Sequence, residues 1–233
     1  MLDMRSSADD QASRPSLVGD AYDALRQAIR ENAFPPGYQG SEQEIASQLK
    51  MSRTPVHEAI IRLQEEGLVR VLPRRGVLVC AISPDDMREI YEAIIVLEGG
   101  AAELLAEMPA DIRCPIADEL EGANSQMETA LGADDLVAWA RADERFHQLL
   151  VERCGNGRLA RMFHTIMDQS HRVRMLTLRM RPKPTASVRE HRAIVDAIQR
   201  GDAVLSRERA KQHRTAARDQ LLPLLSEFGM KHL

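Results

Sequence analysis

The chain has 233 residues, of which 44% are hydrophobic and 28% are charged, and its formal net charge is −4 at pH 7. This composition is ordinary for a globular protein with a sizeable core, and the length suits one or two domains. Aromatic residues make up only 3% of the chain, which argues against a carbohydrate-binding or base-stacking surface. The negative charge excludes a general attraction to nucleic acid, so a DNA-binding face would have to be a local basic surface.

The sequence has no membrane-spanning pattern, because its best apolar run, residues 90–108, is interrupted by glutamates. Residues 1–16 are polar and lack the apolar core of a signal peptide, so they are predicted to form a flexible tail. Cys80, Cys114 and Cys154 are widely spaced and favour reduced, structural thiols. We therefore expect a cytoplasmic protein that does not bind membranes.

Residues 17–82 are predicted to begin with three helices. The first carries apolar residues at helical spacing and ends before the Pro-Pro-Gly loop at 35–37. The second is short and starts with the capping-box pattern Ser41–Glu44. The third starts at Ser52 or Thr54 and ends near Gly67. Two short helices joined by a tight turn are typical of a helix-turn-helix.

A β-hairpin is predicted to follow the third helix. Residues 68–72 and 77–81 are rich in β-branched and aliphatic side chains, and Pro73–Gly76 separates them with a basic turn. Residues 15–82 contain eight basic and eight acidic side chains, so this module is neutral overall. Its arginines are nevertheless concentrated from the third helix into the hairpin. Residues 17–82 are therefore predicted to be a winged helix-turn-helix domain with a local basic face.

Residues 83–233 are predicted to contain helices alone, starting at a cap formed by Ser83. The expected helices cover about 84–107, 113–131, 134–153, 157–180, 188–200 and 203–226. The fold class is therefore mostly α, with an N-terminal winged helix-turn-helix and a C-terminal all-α bundle of six to seven helices.

Polar residues near the third helix are the predicted DNA contacts. Arg53 can give a bidentate hydrogen bond to guanine, whereas Ser52 and Thr54 can contact a phosphate or simply cap the helix. His57 and Gln43 can bind a phosphate or a base edge. At the wing tip, Arg74, Arg75 and Gly76 are expected at a phosphate or a minor groove, and a solvated hairpin is the alternative.

Four polar residues are predicted to point into the helical bundle. Asp143 and His147 are four residues apart on an apolar helix face, and His191 and His213 lie on the apolar faces of two later helices. Ser187–Glu190 is interpreted as a capping box that starts the helix of His191. Three imidazoles and one carboxylate would suit Zn²⁺, Ni²⁺, Mn²⁺ or Fe²⁺. Spacing alone favours hydrogen-bonded core residues over a metal site.

Two further groups of polar side chains lie between residues 164 and 192. His164, Asp168 and His171 share a helical face, which we interpret as solvated or dimer-contacting because no partner pattern accompanies it. Most arginines between 172 and 192 are expected to be solvated. Arg174 lies on or beside the inward face, where it would pair either with an anionic effector or with a carboxylate inside the bundle or dimer.

The sequence resembles a known family of regulators. Residues 41–79, SEQEIASQLKMSRTPVHEAIIRLQEEGLVRVLPRRGVLV, are similar to the DNA-binding domain of the GntR family of bacterial transcription regulators. The later segments YEAIIVLEGGAAELLA, RADERFHQLL and SVREHRAIVDAIQRGD resemble the FadR-type effector domain called FCD. The resemblance implies a homodimer that binds a palindromic operator of double-stranded DNA and responds to a small metabolite. It also implies a divalent metal at the aspartate and the three histidines.

The sequence also departs from the family pattern. Gln43 and His57 occupy positions where the family often has arginine, which points to an unusual operator. Ile94 and Ile95 fill a region where the family frequently has arginine, which points to a different effector group.

The predicted function is a metabolite-responsive regulator, in the commoner case a repressor, whose effector is an organic or sugar acid. The alternatives are a metal-dependent hydrolase-like enzyme and a protein-binding scaffold.

Overall fold

The computed structural model describes residues 17–227 and contains nine helices and three strands within that range. The predicted tail, residues 1–16, lies outside the described residues. The described chain divides into two compact units between Cys80 and Ala81. None of the described helices is long and apolar enough to cross a membrane.

The first unit packs three helices against a small sheet, as predicted for a winged helix. Its helices are α1 (Leu17–Arg30), α2 (Glu42–Leu49) and α3 (Arg53–Glu65). The predicted capping box is present, because the Ser41 side chain accepts from the Glu44 N–H while Glu44 accepts from the Ser41 N–H. The core is formed by apolar residues that α1, α2, α3 and the strands bury together, among them Leu25, Ile45, Ile60, Leu68 and Val77.

The sheet has one strand more than the predicted hairpin. Strands β2 (Val69–Leu72) and β3 (Gly76–Val79) form the wing, and β1 (Gln39–Gly40) pairs with β3, giving the order β1-β3-β2. A strand of two residues has no alternating pattern, so periodicity could not have revealed it. At Gly76, φ is +89°, and a Cβ atom would lie 2.4 Å from the carbonyl oxygen of Gly40. Only glycine fits this position.

The second unit is a bundle of six helices in the described range. They are α4 (Pro84–Glu107), α5 (Ala110–Gly132), α6 (Leu136–Glu152), α7 (Gly157–Leu176), α8 (Thr185–Arg200) and α9 (Ala203–Glu227). Ser83 caps α4 in a capping box with Asp86, as predicted for the N-cap. A single apolar core runs through the bundle, with Phe146 and Phe163 among its fully buried side chains.

Two predicted boundaries around α8 were wrong. Helix α8 begins at Thr185, so Ser187 lies in its first turn and does not cap it. The Ser187 hydroxyl instead donates to the Pro184 carbonyl at 2.8 Å and accepts from Trp139 Nε1 at 3.3 Å. Helix α7 ends at Leu176, four residues before the predicted end. The connection between α7 and α8 therefore covers residues 177–184 and not 181–187, and it places Arg181 next to the bundle interior.

Candidate functional site

Asp143, His147, His191 and His213 meet inside the second unit. Helix α6 contributes the first two side chains, and α8 and α9 contribute one histidine each. One ligand-type atom from each residue can be chosen so that all four lie within 4.8 Å of one another, and all four side chains are buried. The Nε2 atom of His191 lies 3.2 Å from that of His147 and 3.0 Å from that of His213. The structure thus brings the four predicted residues together; we call them the Asp/His cluster.

Carboxylates orient two of the three imidazoles from behind. His147 Nδ1 lies 3.0 Å from Glu98 Oε2, and His213 Nδ1 lies 2.8 Å from Glu190 Oε2. Glu98 is itself held by Arg214, whose Nε donates to Oε2 at 2.8 Å. A carboxylate at Nδ1 fixes the proton on that nitrogen and turns the Nε2 lone pair toward the cluster.

Burial and neighbouring charges set the protonation of the cluster. Burial raises the pKa of Glu98, but Arg214 and His147 outweigh it and lower the pKa to about 2. The pKa of Asp143 is likewise well below its usual value, because Arg174 and His147 overcome the effect of burial. Burial, followed by His213 and His147, lowers the pKa of His191 well below the usual value. Burial also lowers the pKa of His213, against the opposing effect of the hydrogen bond that His213 donates to Glu190. The site therefore favours ionised carboxylates with neutral imidazoles at His191 and His213.

These residues fit a divalent cation. His213 Nδ1 is hydrogen-bonded to Glu190, so His213 presents its Nε2 lone pair to His191 Nε2, and His147 Nε2 lies 3.2 Å from the same atom. A single proton on His191 Nε2 cannot make well-aligned hydrogen bonds to both neighbouring nitrogens. Asp143 Oδ1 lies 3.7 Å from Nε2 of both His147 and His191, which adds a negative oxygen to the same space. Neutral imidazoles and a carboxylate are common ligands of Zn²⁺, Ni²⁺, Mn²⁺ and Fe²⁺.

A cavity of about 60 Å³ opens beside the cluster. Asp143 and His213 line it, together with three arginines, Arg174, Arg181 and Arg214. Arg174 is buried and forms an ion pair with Asp143 Oδ2. Arg174 therefore forms the internal ion pair, which is one of its two predicted roles, and it also lines the cavity.

Sequence reasoning missed Glu98, Arg214, Glu190 and Arg181. Glu98 follows the buried Ile94 by four residues, and Arg214 follows the buried Ala210 by four, so helical spacing could have placed both inside. Glu190 lies one residue before His191 on α8 and carries no such signal. Arg181 lies between two helices, where no periodicity exists.

The face at His164, Asp168 and His171 was expected to be solvated or dimer-contacting, and the solvated alternative is wrong for part of this group. Asp168 is only 1% exposed, and His171 Nδ1 lies 3.1 Å from Glu144 Oε2 in a mostly buried position. Arg172, expected at the surface, is also 1% exposed. The three residues do share one face of α7, as predicted, but α6 packs over that face.

The predicted DNA contacts on the first unit are exposed at the start of α3. Ser52 has N-cap dihedral angles but makes no capping hydrogen bond with its side chain. Glu42, at the start of α2, accepts from Arg53 Nε at 3.3 Å and lies 2.8 Å from His57 Nδ1. Sequence reasoning did not include this pairing. Thr54 and Gln43 are exposed on the same two helices.

The predicted wing contacts lie at the tight turn between β2 and β3. Arg74 and Arg75 are exposed, and Arg74 has a φ of +62°. The Arg75 N–H donates to the Leu72 carbonyl at 3.0 Å, and its carbonyl accepts from Gln39 Nε2 at 2.8 Å. The turn is thus fixed by backbone contacts, which leave both guanidinium groups in solvent.

A winged helix followed by an all-α domain is the architecture of a class of transcription regulators. Residues 17–79 match the model of the bacterial regulatory proteins of the gntR family, and residues 89–216 match the FCD domain. The chain belongs to the GntR family and carries an FCD domain. The predicted resemblance and fold class are confirmed, as is the prediction of a regulator and not an enzyme.

Named relatives agree with this assignment. An uncharacterized HTH-type transcriptional regulator in the TAR-I ttuE-ttuC' intergenic region of Agrobacterium vitis is 55% identical over 144 residues, covering 62% of this chain and 84% of that one. The HTH-type transcriptional repressor RspR of Escherichia coli K12 is 30% identical over 185 residues, covering 78% and 80%. The solved structure of E. coli McbR/YncC has the same fold, with a TM-score of 0.72, 20% identity and coverage of 88% and 98%.

Proposed function

We propose that the protein is a metal-containing, effector-responsive repressor that acts as a cytoplasmic homodimer on a palindromic DNA operator. The observation that carries this proposal is the buried Asp/His cluster beside a cavity lined by arginines, in a chain that also has a winged helix. One relative is named a transcriptional repressor, which supports repression as the direction of regulation.

In the proposal, α3 enters the major groove and the wing contacts the flanking backbone. The uncapped start of α3 offers free N–H groups to a phosphate, beside the hydroxyls of Ser52 and Thr54. Arg53 is 68% exposed and reads guanine, while Gln43 and His57 contribute contacts from the same surface. Arg74 and Arg75 place two positive charges at phosphates or a minor groove, with Gly76 required by the turn.

Within the second unit, Asp143, His147, His191 and His213 would hold the metal. A bound divalent ion would supply a Lewis-acidic coordination position for a carboxylate or hydroxyl oxygen of the effector. The arginine-lined wall then attracts an anionic molecule, because Arg174 faces both Asp143 and the cavity. An effector bound there would change the balance between two dimer arrangements that differ in how the winged helices are spaced.

Elemental analysis of the purified protein, run in parallel with DNA binding to its own upstream region, tests this proposal. The wild type should contain one metal ion per chain and bind DNA sequence-specifically, and His147→Ala should lose the metal. His164→Ala is the matched control, because His164 pairs with Glu152 outside the cluster.

The outcomes separate the parts of the proposal. DNA binding without metal in the wild type would reduce the cluster to a hydrogen-bonded core. Failure to bind any specific DNA sequence would overturn the proposed operator binding. Operator affinity that no organic acid changes, in the metal-loaded protein, would overturn the effector mechanism.

A further inference from the structure

The wall of the cavity beside the Asp/His cluster contains one arginine that forms no ion pair with any carboxylate among residues 17–227. Arg174 pairs with Asp143, and Arg214 pairs with Glu98. Arg181 also lines the cavity, yet no carboxylate among residues 17–227 forms an ion pair with it. Its Nη2 donates only to the Arg174 carbonyl, at 3.0 Å. Arg181 is therefore a mostly buried cation without an anion in the described protein.

Two N–H groups of this wall lack acceptors. Arg174 Nη1 and Arg181 Nε are buried and have no hydrogen-bond partner in the described part of the chain. A buried guanidinium donor without an acceptor is destabilising by an amount that a bound anion would remove. Both groups belong to residues that line the cavity, so an acceptor in the cavity is the simplest partner.

Three other polar residues of the wall are already engaged. The Ser187 hydroxyl accepts from Trp139 Nε1 and donates to the Pro184 carbonyl, and Glu190 pairs with His213. The wall therefore offers two binding features: the Asp/His cluster, and the free donors of Arg174 and Arg181 next to it. A molecule with a single anionic group would satisfy only one of them.

We infer that the effector is a small organic acid with two anionic groups, one directed at the Asp/His cluster and the second held by Arg181 with the free Nη1 of Arg174. This inference rests on the proposed function and adds the charge of the ligand and the residue that selects it. The cavity of about 60 Å³ has room for only a few water-sized groups, which restricts the acid to a short carbon chain. Arg181 becomes the specificity-determining residue.

Calorimetry on the metal-loaded full chain with matched pairs of ligands tests the inference. Succinate against succinamate, and malonate against malonamate, differ by one carboxylate replaced with an amide. Phosphoglycolate against glycolate tests whether a phosphate can supply the second anion. At least one dianion should bind about 10- to 100-fold more tightly than its monoanionic counterpart, the range expected of charge-assisted hydrogen bonds. Equal affinity within every pair would overturn the inference.

Variants at Arg181 identify the selecting residue. Arg181→Gln should abolish the preference for the dianion while leaving metal content and binding of the monoanion unchanged, and Arg181→Lys should keep part of the preference. Arg179→Gln is the matched control, since Arg179 is exposed, lies two residues before Arg181, and its substitution removes the same charge. If Arg181→Gln still prefers the dianion, Arg181 is not the residue that selects it. If no acid binds or alters operator affinity, the proposed function fails; if acids bind without regard to charge, this inference alone fails.

Discussion

His213 Nδ1 lies 2.8 Å from Oε2 of Glu190, while its Nε2 lies 3.0 Å from that of His191. One ring nitrogen is thus committed to a carboxylate and the other faces the cluster. Glu190 therefore positions a histidine of the cluster and is distinct from the proposed metal ligands.

Glu190→Gln should weaken metal binding by about 10- to 100-fold, because the amide no longer enforces the ring orientation and basicity of His213. Competition with a chromophoric chelator measures the affinity directly. Glu208→Gln, an exposed carboxylate on α9, is the control and should leave the affinity unchanged. Equal affinities for the two variants would show that Glu190 has no positioning role.

Arg214→Met should destabilise the metal-free protein by about 3–5 kcal/mol, because it leaves Glu98 buried without its partner. Urea unfolding in the presence of a chelator measures the free energy of unfolding. Arg207→Met removes an exposed ion pair with Glu103 and should cost only about 0–1 kcal/mol. The double variant Glu98→Gln/Arg214→Met should recover part of the loss. A similar loss in both single arginine variants would contradict the role of burial.

Arg53→Ala and Arg75→Ala should weaken DNA binding in different ways. Loss of a base-reading arginine should reduce discrimination between operator and random DNA by about 1–3 kcal/mol. Loss of a phosphate-contacting arginine should weaken binding to all sequences and lower the salt slope by about one. Affinity measured against salt concentration on both DNAs separates the effects. Arg88→Ala, on α4, is the control. Identical behaviour of the first two variants would refute the assigned roles.

Glu42→Gln should make the stability of the winged helix less dependent on pH in the acid range. The hydrogen bond from His57, opposed by burial and aided by Arg53, lowers the pKa of Glu42 below its usual 4.5. A lowered pKa in the folded state adds stability that is present above that usual value and is lost as pH falls through the folded pKa. Urea midpoints measured from pH 7 down to about pH 3 should therefore fall more steeply for the wild type as pH drops below 4.5. Glu58→Gln, exposed on α3, should behave like the wild type.

The fold could be predicted where a local pattern determines the structure. The caps at Ser41 and Ser83 were correct because a capping box involves only four consecutive residues. Helical spacing likewise placed Asp143 and His147 on the inward face of α6. In these cases the nearest neighbours along the chain supply the relevant interactions.

The rest of the site depends on contacts that spacing does not encode. Glu98 and Arg214 are 116 residues apart and meet only because α4 packs against α9. Arg181 lines the cavity from the connection between α7 and α8, where no helical spacing indicates which way a side chain faces. Ser187 fits the sequence pattern of a helix cap, but the helix already begins at Thr185. The Ser187 hydroxyl accepts a hydrogen bond from Trp139 Nε1 and does not cap the helix.

The close approach of Gly76 to the Gly40 carbonyl has a consequence for genetics. Any side chain at position 76 would collide with the loop before α2 and also occupy an unfavourable φ. A screen for mutants that no longer bind the operator would therefore recover position 76 as readily as Arg53. The mutants at 76 would be recognised by their low abundance in the cell, whereas those at 53 would accumulate as intact protein.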